Sequence, residues 1–124
     1  MIKFIIPLQP ISKKNSQQIF INSKTGKPFI APSKKFKEYE AAAAWFIPKH
    51  IRIDKAVNIK CLFYMKNRQK CDLTNFLEAI DDVLVKVGFL ADDNYTIVRS
   101  HDGSRILHDK ENPRTEVYIE FVDG

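Results

Sequence analysis

Two acidic positions bracket one predicted helix in the second half of the chain. Asp72 comes directly before this helix, and Asp92 and Asp93 follow just after it, beyond Gly88. A compact basic protein has little structural reason to set carboxylates at both ends of a buried helix. Carboxylate oxygens are ligands that divalent cations prefer, and a cation held in this way can act on a phosphodiester. The pattern therefore predicts a metal site that works on a phosphate backbone.

The helix between the acids imposes a geometric condition on such a site. About 14 helical residues span roughly 20 Å, so Asp72 and Asp93 meet only under one of two conditions. Either the strand that follows carries Asp93 back along the helix, or a second subunit supplies one of the two acids. The apolar residues at helical spacing predict the buried stripe, which consists of Leu73, Phe76, Leu77, Ile80, Val83, Leu84 and Val87.

The opposite side of the same helix is polar. Asn75, Glu78 and Asp82 fall together there, at about 100° per residue. Taken alone, Glu78 and Asp82 fit an ordinary solvated helix face. Asp81 is also predicted to be a surface residue.

Charge is distributed unevenly along the 124 residues, which give room for one domain with its own core. Residues 1–70 carry 15 Lys and Arg against 3 Asp and Glu, whereas residues 71–124 carry 5 against 12. This asymmetry is expected when one region grips a polyanion and another holds cations. The alternative is that both sets of charges are simply solvated surface.

The sequence contains no sign of export or membrane insertion. No apolar run approaches the roughly 18 residues of a membrane span, and the amino-terminal residues lack a signal-peptide core. Cys61 and Cys71 make a poor disulfide framework, and no Cys or His spacing resembles a zinc site. A reduced, cytoplasmic protein is the expectation.

The first half of the chain predicts a strand, a hairpin and a helix. Apolar residues alternate over residues 2–6, which predicts an opening strand that Pro7 ends. Two short apolar runs flank the polar residues 22–27 and predict a hairpin with a basic tip. Ser33 can cap a helix that runs to about Ile47.

The second half predicts further strands around the helix that the acids bracket. Residues 57–65 alternate over nine positions, the clearest strand pattern in the chain. The helix covers about residues 74–87, and Gly88 stands where a left-handed residue would end it. Residues 95–99 predict another strand, and residues 116–121 predict a last, half-exposed one.

The order of these elements favours one fold class. The predicted order is a strand, a hairpin, a helix, a strand, a helix and two strands. This order indicates one mixed β-sheet with two main helices packed against it. We therefore expect a single domain of α/β (α+β) type over residues 1–124. No internal repeat or linker interrupts it.

The motifs around the predicted helix resemble those of a known family. Residues 72–75, the pair Asp82 and Leu84, and residues 88–93 are similar to the RusA family of Holliday-junction resolvases. The likeness extends to an early Pro-rich turn ending in Asn15 and to the order of elements. It implies a RusA-like homodimer that binds four-way DNA junctions and nicks two opposed strands with Mg²⁺ or Mn²⁺, without a nucleotide cofactor. Such proteins are often carried by bacteriophages or prophages.

The resemblance assigns roles to individual residues. The family's aspartate at the helix start falls on Asp72, and its aspartate after the helix falls on Asp93, with Asp92 beside it. Asn75 matches the asparagine of the motif. The resemblance thus implies that Asp72 and Asp93 bind metal with help from Asp92, and that Asn75 orients a ligand or the strand.

Two positions depart from the family pattern D-x-D-N-x-x-K. Thr74 occupies the second acidic position, and Glu78 occupies the lysine position. Thr74 can hydrogen-bond a ligand water but brings no charge. Glu78 lies one turn beyond Asn75, where it can restore a carboxylate to the metal site and to catalysis.

Basic residues near the two motifs are the candidates for contacts with DNA phosphates. Junction recognition of this kind rests on the shape and phosphate geometry of the DNA more than on base sequence. The candidates, with one neighbouring asparagine, are Lys13, Lys14, Asn15, Lys66, Arg68 and Lys70.

The remaining candidates fit structural roles. Trp45 is predicted to be a core residue of the first helix, with DNA stacking as the alternative. Cys61 shares the buried side of its strand and is expected to be inert. His50, His101 and His108 lack the spacing of ligands or nucleophiles and are predicted to lie on the surface or in loops.

Three functions remain open at this point. The first is a metal-dependent endonuclease of the resolvase type. The second is a catalytically impaired protein that binds junctions or DNA. In that case Thr74 and Glu78 are substitutions that removed the active site. The third is an unrelated basic α/β interaction module.

Overall fold

The protein forms a mixed sheet with two helices and a separate hairpin. The structure is a computed structural model that describes residues 1–12, 17–32 and 34–122. Ser33, the predicted helix cap, lies outside these residues. The elements in chain order are β1 (Ile2–Ile6), β2 (Gln17–Ile21), β3 (Pro28–Pro32), α1 (Lys34–Ala43), β4 (Val57–Met65), α2 (Leu73–Lys86), β5 (Val98–Ser100), β6 (Arg105–His108) and β7 (Arg114–Phe121).

The main sheet has five strands, with β4 near its centre. On one side β4 pairs with β7 in antiparallel register, and β7 pairs in the same way with β1. On its other side β4 pairs in parallel with β5 near its start and with β6 near its end. Among the described strands, β2 and β3 pair with each other alone, forming the predicted hairpin around residues 22–27. The predicted fold class is therefore confirmed.

The core lies on one face of the sheet, beneath the two helices. Every second residue of β4, from Val57 to Met65, is buried, and the residues between them are half-exposed. This alternation is what a strand shows when helices cover one of its faces. Phe76 of α2 packs on Phe63 of β4 with ring centroids 5.2 Å apart. Together with Phe36 of α1, these residues place both helices on the same apolar layer.

The ends of α2 agree with the prediction to within one residue, but its buried stripe is narrower. Phe76, Ile80, Val83 and Leu84 are buried, as predicted, and Leu73 and Leu77 pack partly against the core. Val87, the C-cap residue, is 38% exposed and does not belong to the buried stripe.

Trp45 was predicted to lie in the core, and this is wrong. Its side chain is 77% exposed, and the ammonium of Lys49 lies 4.6 Å from the centroid of its ring. Trp45 belongs to a 3₁₀ turn, Ala44–Phe46, that continues α1. It follows the buried Ala43 by two residues, which turns it about 200° away from the core side of the helix.

The strand predicted over residues 95–99 is shorter and starts later, as β5. The side chain of Asn94 accepts the backbone N–H of Thr96 at 2.9 Å, and its carbonyl accepts the N–H groups of Ile97 and Val98. These bonds form a turn that delays the strand until Val98. No local sequence pattern indicates β6, which pairs in parallel with the end of β4.

Two further features of the chain concern membrane-spanning helices and the cysteines. In the described part of the chain, no helix is both long enough and apolar enough to cross a bilayer. Cys61 and Cys71 are both free thiols, as expected.

Candidate active site

Asp72 stands at the start of α2 with its carboxylate turned to solvent. Its backbone carbonyl accepts the N–H groups of Asn75 and Phe76, at 3.1 and 3.4 Å, so it occupies the N-cap position. An N-cap aspartate normally also accepts a backbone N–H with its side chain, but the Asp72 carboxylate makes no such bond. Its Oδ2 instead faces Asn75 Nδ2 at 3.5 Å. Both side chains can therefore present oxygen atoms to an external ligand.

The second acidic position is fixed by the way α2 ends. Gly88 has φ +85°, a left-handed conformation that most residues avoid, and it reverses the chain. Phe89 and Leu90 are then almost fully buried. Ile53 brackets them, donating its N–H to Phe89 and accepting the N–H of Ala91, both at 2.8 Å. Asp92 and Asp93 follow immediately after this buried, hydrogen-bonded segment.

Asp92 and Asp93 form a compact acidic pair. Asp92 Oδ1 accepts the backbone N–H of Asp93 at 2.7 Å, and this bond lowers the pKa of Asp92. The pKa of Asp93 is raised, first by partial burial and then by its hydrogen bond to Asp92 and the charges of Asp82 and Asp92. Asp93 therefore lies within electrostatic range of Asp82, on the polar side of α2. A divalent cation would relieve the repulsion among these carboxylates.

Asp72, Asp92 and Asp93 do not form a three-carboxylate group that could hold a metal ion in the described part of one chain. Asp72 and Asp82 are ten residues apart on α2, which corresponds to about 15 Å along the axis. Among the described residues, no three His, Cys, Asp or Glu side chains are placed to hold a metal ion together. Asn75, Asp82 and the exposed Glu78 line the side of α2 between the two ends. The donors are the hard oxygen atoms that Mg²⁺ and Mn²⁺ accept.

The predicted basic residues before α2 form an exposed turn. Lys66, Arg68 and Lys70 all lie on the surface, between the end of β4 and Asp72. The turn is fixed to the amino-terminal segment, because the backbone N–H of Lys66 donates to Gln9 Oε1 at 2.9 Å. The other predicted contacts, Lys13, Lys14 and Asn15, lie outside the described residues.

A polar pair that was not predicted lies beneath α2. Asp81 was predicted to be a surface residue, but its side chain is only 13% exposed. His101 lies in a loop, in agreement with its prediction of surface or loop, and its side chain is only 20% exposed. Asp81 Oδ2 lies 2.9 Å from His101 Nε2, and His101 Nδ1 lies 2.9 Å from the carbonyl of Ile59. Asp81 and His101 are twenty positions apart in the sequence, and no local pattern predicts their contact. β5 brings His101 under the helix.

The other expectations for single residues agree with the structure. Cys61 is fully buried, and burial followed by the nearby charge of Asp81 raises the pKa of its thiol, which fits an inert role. His50 and His108 are exposed, as predicted.

Comparisons with known proteins bear on the whole chain. The family described as Endodeoxyribonuclease RusA matches residues 7–120, which include all the acidic positions above. The crossover junction endodeoxyribonuclease RusA of Aquifex aeolicus (strain VF5) is 29% identical over 113 residues. That alignment covers 89% of this chain and 85% of the Aquifex protein. The similarity thus extends well beyond residues 70–99, where the motifs are most distinctive.

Proposed function

The chain belongs to the RusA family of Holliday junction endodeoxyribonucleases, which are generally metal-dependent, and we propose that it cuts four-way junctions by paired nicks in two opposed strands. The observation that carries the proposal is the placing of Asp72 and Asp93. They are held at the two ends of α2, each at the surface, within the segment that matches the family. An unrelated interaction module is no longer an alternative.

The proposed roles follow from the chemistry of each side chain. Asp72 and Asp93 bind Mg²⁺, for which Mn²⁺ can substitute, and Asp92 and Glu78 assist. The bound cation would activate water and stabilise charge on the attacking and leaving oxygens. Asn75, whose amide faces Asp72, orients either that carboxylate or the DNA strand.

The spacing of the acids along α2, with no three-carboxylate group in the described part of one chain, supports a homodimer whose sites are shared. Two copies of α2 aligned antiparallel across a two-fold axis would bring Asp72 of one copy near Asp93 of the other. A closed two-fold pair has two such sites. A four-way junction has approximate two-fold symmetry, so each site would meet one of two opposed strands.

The exposed turn before α2 is proposed to hold DNA phosphates near the cut. Lys66, Arg68 and Lys70 lie within six residues of Asp72 in the chain and are exposed, as Asp72 is. We extend the same role to Lys13, Lys14 and Asn15 on sequence grounds. Most of the recognition would then come from backbone charge and junction shape.

A second candidate function is favoured by Thr74 and Glu78. Thr74 stands where the family pattern has an acid, and Glu78 stands where it has a lysine. If these changes remove a ligand and a cation that activity requires, the protein binds junctions without cutting them.

Cleavage of a synthetic junction separates the two candidates. The purified protein is incubated with a four-way junction and with the matching linear duplex, with Mg²⁺, with Mn²⁺ and with EDTA. The proposal predicts paired nicks only in the junction and only with metal. Asp72→Asn should bind the junction without cutting it, whereas Asp54→Asn, at an exposed aspartate elsewhere, should cut normally. Tight binding with no cleavage in either metal would support the impaired alternative.

A further inference from the structure

An open groove of about 430 Å³ lies beside the start of α2. One wall is the segment that follows β1, and the opposite wall is α1, with the turn after β4 closing one end. Its volume falls in the range of about 300–1,000 Å³ that is typical of small-ligand sites. The groove is therefore large enough for one flat ring system with part of its backbone.

The walls and rim of the groove differ in chemistry. The walls are apolar and include Leu8, Pro10, Tyr39 and Phe76. At the end formed by the turn, Asn67 and Gln69 supply side-chain amides. Asn67 Oδ1 accepts the backbone N–H of Gln69 at 3.2 Å, which leaves Asn67 Nδ2 and the Gln69 amide directed to other partners.

The charge around the groove is suited to a polyanion. Lys35 and Lys66 belong to its lining, and Arg68 and Lys70 continue the same exposed turn. Glu38 is the one acid among the described lining residues, and Lys34 lies 4.0 Å from its carboxylate. An apolar slot with amides at one end and ammonium groups at its edge matches a nucleobase with its phosphate attached.

The groove lies next to the start of α2, where Asp72 stands. Phe76 contributes to its wall and donates its backbone N–H to the carbonyl of Asp72. A base held there would therefore belong to a nucleotide close to the one whose phosphate meets Asp72. A base is least costly to unstack where its pairing or stacking is already disturbed.

We propose that this groove takes one unstacked base of the strand to be cut and reads its edge through Asn67 and Gln69. The groove would thereby set a base preference next to the cleaved phosphodiester. The inference rests on the proposed function, because it requires a junction strand at Asp72.

Two neighbouring alanines of α1 provide a matched test. Ala42 lines the groove, whereas Ala41 lies on the outer side of the helix towards Val83. Ala42→Phe fills the groove, and Ala41→Phe adds the same ring outside it. Binding is measured in an Asp72→Asn background with junctions in which each nucleotide near the exchange point is made abasic in turn. Thermal unfolding of both variants checks that they fold.

The inference predicts that one abasic position weakens binding to the Ala41→Phe protein by about tenfold, as expected for loss of a stacked base. The Ala42→Phe protein should bind the intact junction about tenfold more weakly than the Ala41→Phe protein does. It should lose no further affinity when that one position is made abasic. If Ala42→Phe does not fold, Gln69→Ala takes its place; in a chain that keeps Asp72, it should reduce the base preference at the cut.

The outcomes separate this inference from the function on which it rests. If the wild-type chain cuts junctions while the two alanine variants behave alike on every junction, the groove assignment is wrong and the function stands. If the wild-type chain neither binds nor cuts junctions, the function itself fails.

Discussion

The carboxylate of Asp81 and the imidazole of His101 lie 2.9 Å apart, and this contact joins α2 to the sheet. Because His101 Nδ1 faces the carbonyl of Ile59, which only accepts, that nitrogen donates a proton. The bond to Asp81 is then strongest when His101 Nε2 is protonated as well. In the described residues Asp81 Oδ1 is buried without a hydrogen-bond partner, so Asp81 depends on His101. The pair fixes the helix that carries Asp72 at its start.

The stability of the protein should therefore depend on pH through His101. Burial alone would lower its pKa, but the hydrogen bond and charge of Asp81, with the Ile59 carbonyl, outweigh burial and raise it. A raised pKa means that the folded state holds the proton more tightly than the unfolded chain. The stabilisation is complete below the ordinary value of 6.5 and is lost as pH rises through the folded value. Burial also raises the pKa of Asp81. The contribution of this carboxyl group to stability therefore falls as pH rises too, and it does not offset the loss at His101.

Urea unfolding between pH 6 and pH 9 measures this dependence. His101→Gln should lower the free energy of unfolding at pH 6 by about 1–3 kcal/mol, the cost of leaving a buried polar group poorly paired. It should also remove most of the pH slope above pH 6.5. His108→Gln, at an exposed histidine, is the control and should keep the wild-type slope. Parallel curves for wild type and His101→Gln would show that the pair contributes nothing to the dependence.

Mixed dimers test whether Asp72 and Asp93 act across the subunit interface. Either Asp72→Asn or Asp93→Asn alone should lower cleavage by more than about 100-fold, since loss of a direct ligand exceeds the effect of losing its supporting partner. If each site combines Asp72 of one copy with Asp93 of the other, a dimer of the two different variants retains one intact site. Co-expression with two affinity tags isolates this mixed dimer.

The product of the mixed dimer distinguishes the two arrangements. A shared site predicts that the mixed dimer nicks one junction strand at close to the wild-type rate for one site. If both acids came from the same chain, every site in the mixed dimer would lack one of them, and it would be as inactive as either parent.

Glu78 is predicted to supplement the metal ligands in place of the absent acid at Thr74. Glu78→Gln should then raise the Mg²⁺ concentration for half-maximal cleavage, by roughly tenfold for a supporting group. The measurement is a metal titration at saturating junction, with Glu111→Gln as a control at another exposed glutamate. An unchanged titration would assign Glu78 to the solvated side of α2.

The basic turn should appear in the salt dependence of junction binding. Each phosphate contact adds about 0.9 to the slope of log K against log salt, so Arg68→Ala or Lys70→Ala should each lower that slope by about this amount. Lys55→Ala is the control, because Lys55 precedes β4 and lies about 30 Å from the turn. The idea fails if Lys55→Ala changes the slope as much as the other two.

Elements with a strong local pattern could be predicted from the sequence. The nine alternating residues of β4 and the apolar stripe of α2 are set by which side of each element faces the core, and this repeats within a few residues. The Gly88 turn was likewise predictable, since few other residues adopt its conformation. Asp72 and Asp93 flank the helix that these patterns define, so their places at its two ends could be predicted from the sequence.

Features that depend on distant contacts could not be predicted. β6 has no alternating pattern and forms only because the end of β4 offers it a partner. Asp81 and His101 meet because β5 runs beneath α2, and neither residue has a local signal of burial. Trp45 resembled a core residue by type, but its angular position on the helix decides its exposure.

Cleavage of a supercoiled plasmid that extrudes a cruciform tests the central claim most directly. Paired nicks within one bound complex convert the plasmid directly to linear DNA, whereas independent nicks first yield open circles. The account predicts linear product as the first species with Mg²⁺, none with EDTA, and bound but uncut plasmid with Asp72→Asn. Accumulation of open circles before linear DNA, or stable binding without cleavage in both Mg²⁺ and Mn²⁺, would contradict it.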